Sequence, residues 1–166
     1  METSLRQSRK NHDVEAHIKL QRWWKESSKG VFTTTSPMQI RELERRYTVS
    51  LPEDFKAYLS ASSPVDELWD SESTAWWHFD RIRNIPDEYE HEISNPQIVI
   101  SQSQYLFFAD YSIWCWAWAV SCTNDGNRGK VAIIGGVPIG GASDRFVADS
   151  FSEFVQKYLS DIRSVF

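Results

Sequence analysis

Between residues 53 and 92 the chain carries eleven carboxylates, Glu53, Asp54, Asp66, Glu67, Asp70, Glu72, Asp80, Asp87, Glu88, Glu90 and Glu92, against only Lys56, Arg81 and Arg83. Paired carboxylates perform general acid–base work, as in glycoside hydrolysis, when burial lifts one pKa above the other. Residues 65–75 are acidic and serine-rich and read as an exposed loop, which offers no such burial. Gly126-Asn127-Arg128-Gly129-Lys130 approaches a phosphate-binding loop, but Val131 follows where Ser or Thr is needed and Asn124 replaces the first glycine. It reads as a hairpin turn. Gly135-Gly136 and Gly140-Gly141 bracket Val137-Pro138-Ile139 without the strand-to-helix setting of a dinucleotide site, and read as loop glycines.

Metal and nucleophile chemistry find equally little support. His12 and His17 are five residues apart, whereas two ligands on one helical face need three or four, and His78 and His91 fall in separate elements. Neither a metal site nor a cofactor is expected. Cys115 and Cys122 are too few for a disulfide framework and both read as buried thiols. No nucleophile elbow marks a serine or cysteine. A small hydrolase remains a remote alternative, which a Ser or Cys within hydrogen-bond reach of His78 or His91 would revive.

The elements that would position these groups follow from periodicity and caps. Residues 1–12 are polar and unpatterned and read as a flexible arm, leaving 13–166 as a single domain. Apolar steps of three and four from Val14 to Trp24 predict an amphipathic helix. Ser36-Pro37-Met38-Gln39 predicts a capped helix start, Pro52 opens a second helix with Glu53 and Asp54 at its positive end, and Ser150-Phe151-Ser152-Glu153 starts a C-terminal helix. Residues 76–82 are expected as a strand or irregular chain, and 86–93 as one or two helical turns. Short β-prone runs at 98–100, 105–109, 113–121, 131–134 and 146–147, joined by short connections, predict antiparallel strands. The fold class is therefore α+β: a mostly antiparallel twisted sheet flanked by helices, N-terminal helices first and one C-terminal helix last.

Within the run 114–120, Trp114, Trp116, Trp118 and Val120 fall on one strand face, and Cys115, Ala117 and Ala119 on the other. The Trp face is either core or contact surface. Trp76 and Trp77 are adjacent on an extended segment, so one of the two is expected to be exposed.

Of the 166 residues, 41% are apolar and 14% aromatic, which supports one packed core and excludes general disorder. No stretch suits a transmembrane helix or a secretory signal, and a cytoplasmic location is the expectation. The net charge of −5 is uneven: residues 1–52 carry +4 and residues 53–92 carry −8. An acidic segment repels phosphate, so neither direct nucleic-acid nor membrane binding is expected, and it steers a basic protein toward itself. A solvated surface is the plainer alternative.

Leu51-Pro52-Glu53-Asp54-Phe55-Lys56-Ala57-Tyr58-Leu59 resembles the opening motif of the SUKH superfamily domain. Phe107-Phe108-Ala109-Asp110-Tyr111 with the following Trp-rich run, and Val147-Ala148-Asp149-Ser150-Phe151-Ser152-Glu153-Phe154, resemble its later landmarks in order. After Leu59 the chain departs from the pattern, with Ser60-Ala61-Ser62-Ser63-Pro64 where many members turn at Asn-Gly. The resemblance implies an α+β, non-catalytic domain. Bacterial members are typically immunity proteins that neutralise a polymorphic toxin, often a nuclease or deaminase, and the yeast member is a regulatory interaction protein. The expected function is thus binding of a basic toxin domain, with a regulatory scaffold as the alternative. The expected contacts are Asp66, Glu67, Asp70, Glu72, Asp87, Glu88 and Glu90, with Trp76 or Trp77 as the aromatic anchor.

Overall fold

The computed structural model describes residues 16–27, 30–135 and 143–166. The expected arm at 1–12 and Gly136, Gly140 and Gly141 lie outside them. Helix α1 (16–27) leads into β1 (Phe32–Thr33), α2 (Pro37–Tyr47), α3 (Glu53–Ser62), β2 (Ser63–Pro64), β3 (Leu68–Trp69) and β4 (Thr74–Trp76). Then come β5 (Arg83–Asn84), α4 (Ile85–Glu88), α5 (Pro96–Val99), β6 (Tyr105–Tyr111), β7 (Trp116–Ser121), β8 (Val131–Ile134), β9 (Arg145–Ala148) and α6 (Phe151–Ser160). Strands β3 to β9 form an antiparallel sheet in the order β3-β4-β6-β7-β8-β9, with β5 also paired to β6, and β1 and β2 form a separate ribbon. The architecture is α+β, as the sequence predicts.

Caps explain where the helices begin. The Ser36 hydroxyl accepts from Gln39 N, and the Gln39 side chain accepts from Ser36 N, a closed capping box with Pro37 at the first helical position. Ser150 likewise accepts from Glu153 N, while the Glu153 carboxylate reaches one residue further back, to Asp149 N.

Both faces of the sheet are covered, and strand alternation sorts the aromatic residues between two cores. Under α1, α3 and α6 lie Leu106, Phe108, Trp118, Val120 and Trp76, packed against Trp24, Phe55, Tyr58, Phe154 and Tyr158. Rings there meet edge to face, as Trp24 with Trp76 at 5.2 Å and Phe108 with Phe154 at 5.3 Å. Each such pair contributes about 1 kcal/mol beyond the area it buries. On the opposite face, Trp77, Tyr105, Phe107, Ala117 and Ala119 pack against Ile85, Ile93 and Ile98 from α4, α5 and the chain between them. The small face of β7 therefore admits short helical turns, and its Trp face meets the long helices.

Several local expectations are corrected. Residues 65–75 form the β3–β4 hairpin rather than an exposed loop, because Leu68 and Ala75 are buried and β4 pairs with β6. In the stretch 76–82, strand structure stops at Trp76 and a 3₁₀ turn covers Phe79–Arg81. Ile98-Val99-Ile100 is no strand: Asn95 caps Gln97 N and Pro96 opens α5, so the local helix start overrides the β-propensity of the isoleucines. Cys115 is exposed, in the turn before β7, whereas Cys122 is buried in apolar surroundings that push its thiol up to about 12.

Candidate functional site

Strand β6 contains a bulge between Phe107 and Ala109. Phe107 faces the second core, while Phe108 and Ala109 both face the helix-covered core. The extra residue reverses the phase of the strand beyond it, so that Asp110 emerges on the side of Trp77. Asp110, 2% exposed, accepts from Trp77 Nε1 at 2.7 Å and from Trp114 N at 2.9 Å. Arg81 stands 3.6 Å from the same carboxylate, lies 4.1 Å above the Trp77 ring, and is also paired with Glu67 and, at 3.9 Å, with Glu88. One guanidinium thus serves three carboxylates at one end of the sheet.

The β6–β7 turn is built on backbone strain. Ser112, Ile113 and Trp114 have φ of 48°, 58° and 62°, three consecutive non-glycine residues in the left-handed region, which costs about 1–2 kcal/mol each for side chains of this kind. Asp110 holds the turn through Trp114 N, and Ser112 N donates to Ser73 O of the β3–β4 turn at 2.9 Å. The result is that Ile113 projects from the tip, 84% exposed. Trp114 leaves the face of Trp116 and Trp118, to which strand parity assigns it, and joins the second core. There it stacks on Tyr89 at 5.6 Å with 12° between planes and donates Nε1 to Glu88 Oε1 at 3.1 Å. Beside this pair lies a pocket of about 410 Å³ lined by Glu88, Tyr89, Glu90, His91 and Trp114.

The expected contact residues separate into two groups. Asp66, Glu67, Glu72 and Glu90 are at least partly exposed and Glu88 is half-buried, and Glu67 and Glu88 meet at Arg81. Asp87 lies beside the Tyr47 phenol of α2, whose pKa is raised by burial first and by that carboxylate second. Asp70, Trp76 and Trp77 are corrections. Asp70 is a buried turn anchor: Oδ1 accepts from Glu72 N at 2.9 Å and Thr74 N at 3.1 Å, and Oδ2 accepts from Trp76 Nε1 at 2.8 Å and from the Tyr158 hydroxyl. Burial pushes its carboxyl above the ordinary Asp range, against the pull of those four hydrogen bonds. Trp76 and Trp77 are both fully buried, one in each core, because a sheet covered on both faces buries neighbours of opposite parity. The apolar exposure falls instead to Ile113 and to Trp69, whose indole donates to Glu67 Oε1 at 2.9 Å. Sequence reasoning missed Arg81, Tyr89, Asp110 and Ile113 as members of this site. Their one visible signal is the acidic turn Asp110-Tyr111-Ser112 ahead of the Trp run.

The opposite end, where α3 and α6 begin, contains the first and last landmark motifs and is locked. Asp54 Oδ2 accepts from Ser152 N at 2.8 Å, joining the two helix starts. Arg128 crosses from the β7–β8 turn to Ser50 O at 2.9 Å and Leu51 O at 3.1 Å. Among the described residues, neither His78 nor His91 hydrogen-bonds a serine or cysteine, no group of three or more His, Cys, Asp or Glu is placed to hold a metal ion, and no helix is long and apolar enough to cross a membrane.

An antiparallel sheet with long helices on one face and interlocked helix starts defines an α+β domain. The chain belongs to the SMI1 / KNR4 family (SUKH-1), whose model matches residues 34–157. A search of curated proteins gave no match.

Proposed function

We propose that this chain is a non-catalytic protein-binding domain, of the immunity type, that occludes a basic toxin domain with the acidic end of its sheet. Membership of a family of generally non-catalytic immunity and regulatory proteins supports binding as the class of activity. The observation that carries the acidic end as the docking face is the surplus of carboxylates around a single cation: Arg81 against Glu67, Glu88 and Asp110, with Asp66, Glu72 and Glu90 nearby in sequence. Such a face accelerates encounter with a basic surface and repels nucleic acid. Ile113, held rigidly at the tip, supplies the apolar anchor that electrostatic steering alone lacks.

The test is binding and neutralisation of the toxin domain encoded in the adjacent reading frame. Replacing Asp66, Glu72 and Glu90 together by Lys is expected to slow association roughly tenfold or more at low salt and to flatten its salt dependence. An unchanged rate and salt slope would overturn the electrostatic reading. Binding without neutralisation would favour a regulatory scaffold over an immunity role.

A further inference from the structure

The strain in the β6–β7 turn secures one specific placement. In a regular strand Trp114 would share a face with Trp116 and Trp118; three left-handed residues carry its indole to the other face, against Tyr89 and Glu88. Strain of this kind persists where a site needs it. What it builds is a wall of two parallel rings with carboxylates at its rim, around a pocket of about 410 Å³. Among the described residues, Glu88 Oε2 has no hydrogen-bond partner, and Glu90 makes neither a hydrogen bond nor an ion pair. The neighbouring Arg81 shows which chemistry this combination holds, a guanidinium over an indole face ringed by carboxylates. Arg81 leaves the cluster net negative, so the demand for a second cation is not met internally.

We propose that the pocket beside Tyr89 and Trp114 receives an arginine side chain of the basic protein partner, its guanidinium against the aromatic wall and its N–H groups donating to Glu88 and Glu90. This rests on the reading of the acidic end as the docking face, and it makes the pocket the specificity element of that face. Arginine suits it better than lysine, because a planar cation both lies against rings and offers several donors to two carboxylates.

The experiment is an NMR titration of the full chain with N-acetyl-arginine amide, following the indole N–H signals of its 8 tryptophans. Trp114 is assigned by the signal lost in Trp114→Phe. Arginine amide is expected to shift the Trp114 signal saturably, lysine amide to bind more weakly, and citrulline amide, which keeps the shape without the charge, to leave it in place. Glu88→Gln/Glu90→Gln keeps an acceptor for Trp114 Nε1 and is expected to leave the other seven indole signals unmoved while weakening arginine binding roughly fivefold or more. No shift with arginine, an equal shift with citrulline, or unchanged affinity in the double variant would overturn the proposal. The titration needs no protein partner. If it fails while charge reversal still slows association, the pocket falls and the docking face stands; if it succeeds while charge reversal does nothing, the reverse holds.

Discussion

The two ends of the sheet use their charges in opposite ways. At the end where α3 and α6 begin, carboxylates serve the fold: Asp54 accepts from Ser152 N, Glu44 accepts from Leu51 N and pairs with Lys56, and Glu153 accepts from Asp149 N and pairs with Lys157. At the other end Arg81 is outnumbered by its own partners, and strain goes into projecting an isoleucine and turning a tryptophan out of phase. The first arrangement minimises free energy within the chain. The second leaves a surplus of negative charge and an exposed isoleucine at the surface. The first and last family landmarks thus sit where the fold is secured, whereas the middle one, Phe107–Tyr111, supplies Asp110 to the acidic end.

Asp70 ties the acidic end to α6, and its removal has the largest expected effect. Asp70→Ala strands the Trp76 indole and the Tyr158 hydroxyl in the core, and is expected to cost about 3 kcal/mol in urea unfolding. Asp54→Ala, at the locked end, is expected to cost about 1–2 kcal/mol and to leave partner association and its salt dependence untouched. A changed salt dependence there would dissolve the division between the ends. A smaller, pH-dependent effect is expected at Asp70. Because burial raises the Asp70 pKa in the folded chain, the folded state holds that proton more tightly than the unfolded one. The stability this contributes is fully present below the ordinary Asp range and is lost as pH rises through the raised value. The stability gap between wild type and Asp70→Asn should therefore shrink as pH rises through that window, and a constant gap would contradict it. Smallest is Ile113→Gly. Releasing a β-branched residue from a φ of 58° outweighs the entropy glycine loses, so the free chain is expected to gain about 0.5 kcal/mol while partner binding weakens. Loss of both stability and binding would mean that Ile113 packs into the fold rather than serving as an anchor.

How far the sequence reveals these features depends on the range of the forces that make them. Ser36 with Gln39 and Ser150 with Glu153 announce helix starts because caps act within four residues. Antiparallel strands follow from short connections, and the alternation within Trp116–Ser121 from the pleat. The acidic character of the proposed docking face is visible in composition. Burial of both Trp76 and Trp77 is not, since it requires knowing that α4 and α5 cover the face opposite the long helices. Nor is the position of Trp114 visible: local spacing extends the strand to it, and the strained turn is offset by contacts with Asp110, Ser73, Tyr89 and Glu88. Ile98–Ile100 shows the converse, where a cap and a proline outweigh three β-prone side chains.

The bulge in β6 makes Phe108 the residue that the ladder itself could do without. Deleting it would leave Phe107 opposite Ala119, Ala109 opposite Trp118 and Asp110 opposite Ala117, so every later residue would keep its face. What would be lost is a ring: Phe108 packs on Phe55, Phe151 and Phe154 beneath the long helices. Deletion scanning should therefore find that loss of Phe108 costs stability through its missing contacts while Asp110 still meets Trp77 and Arg81, and that the exposed tip of the β7–β8 turn at 124–126 accepts insertions.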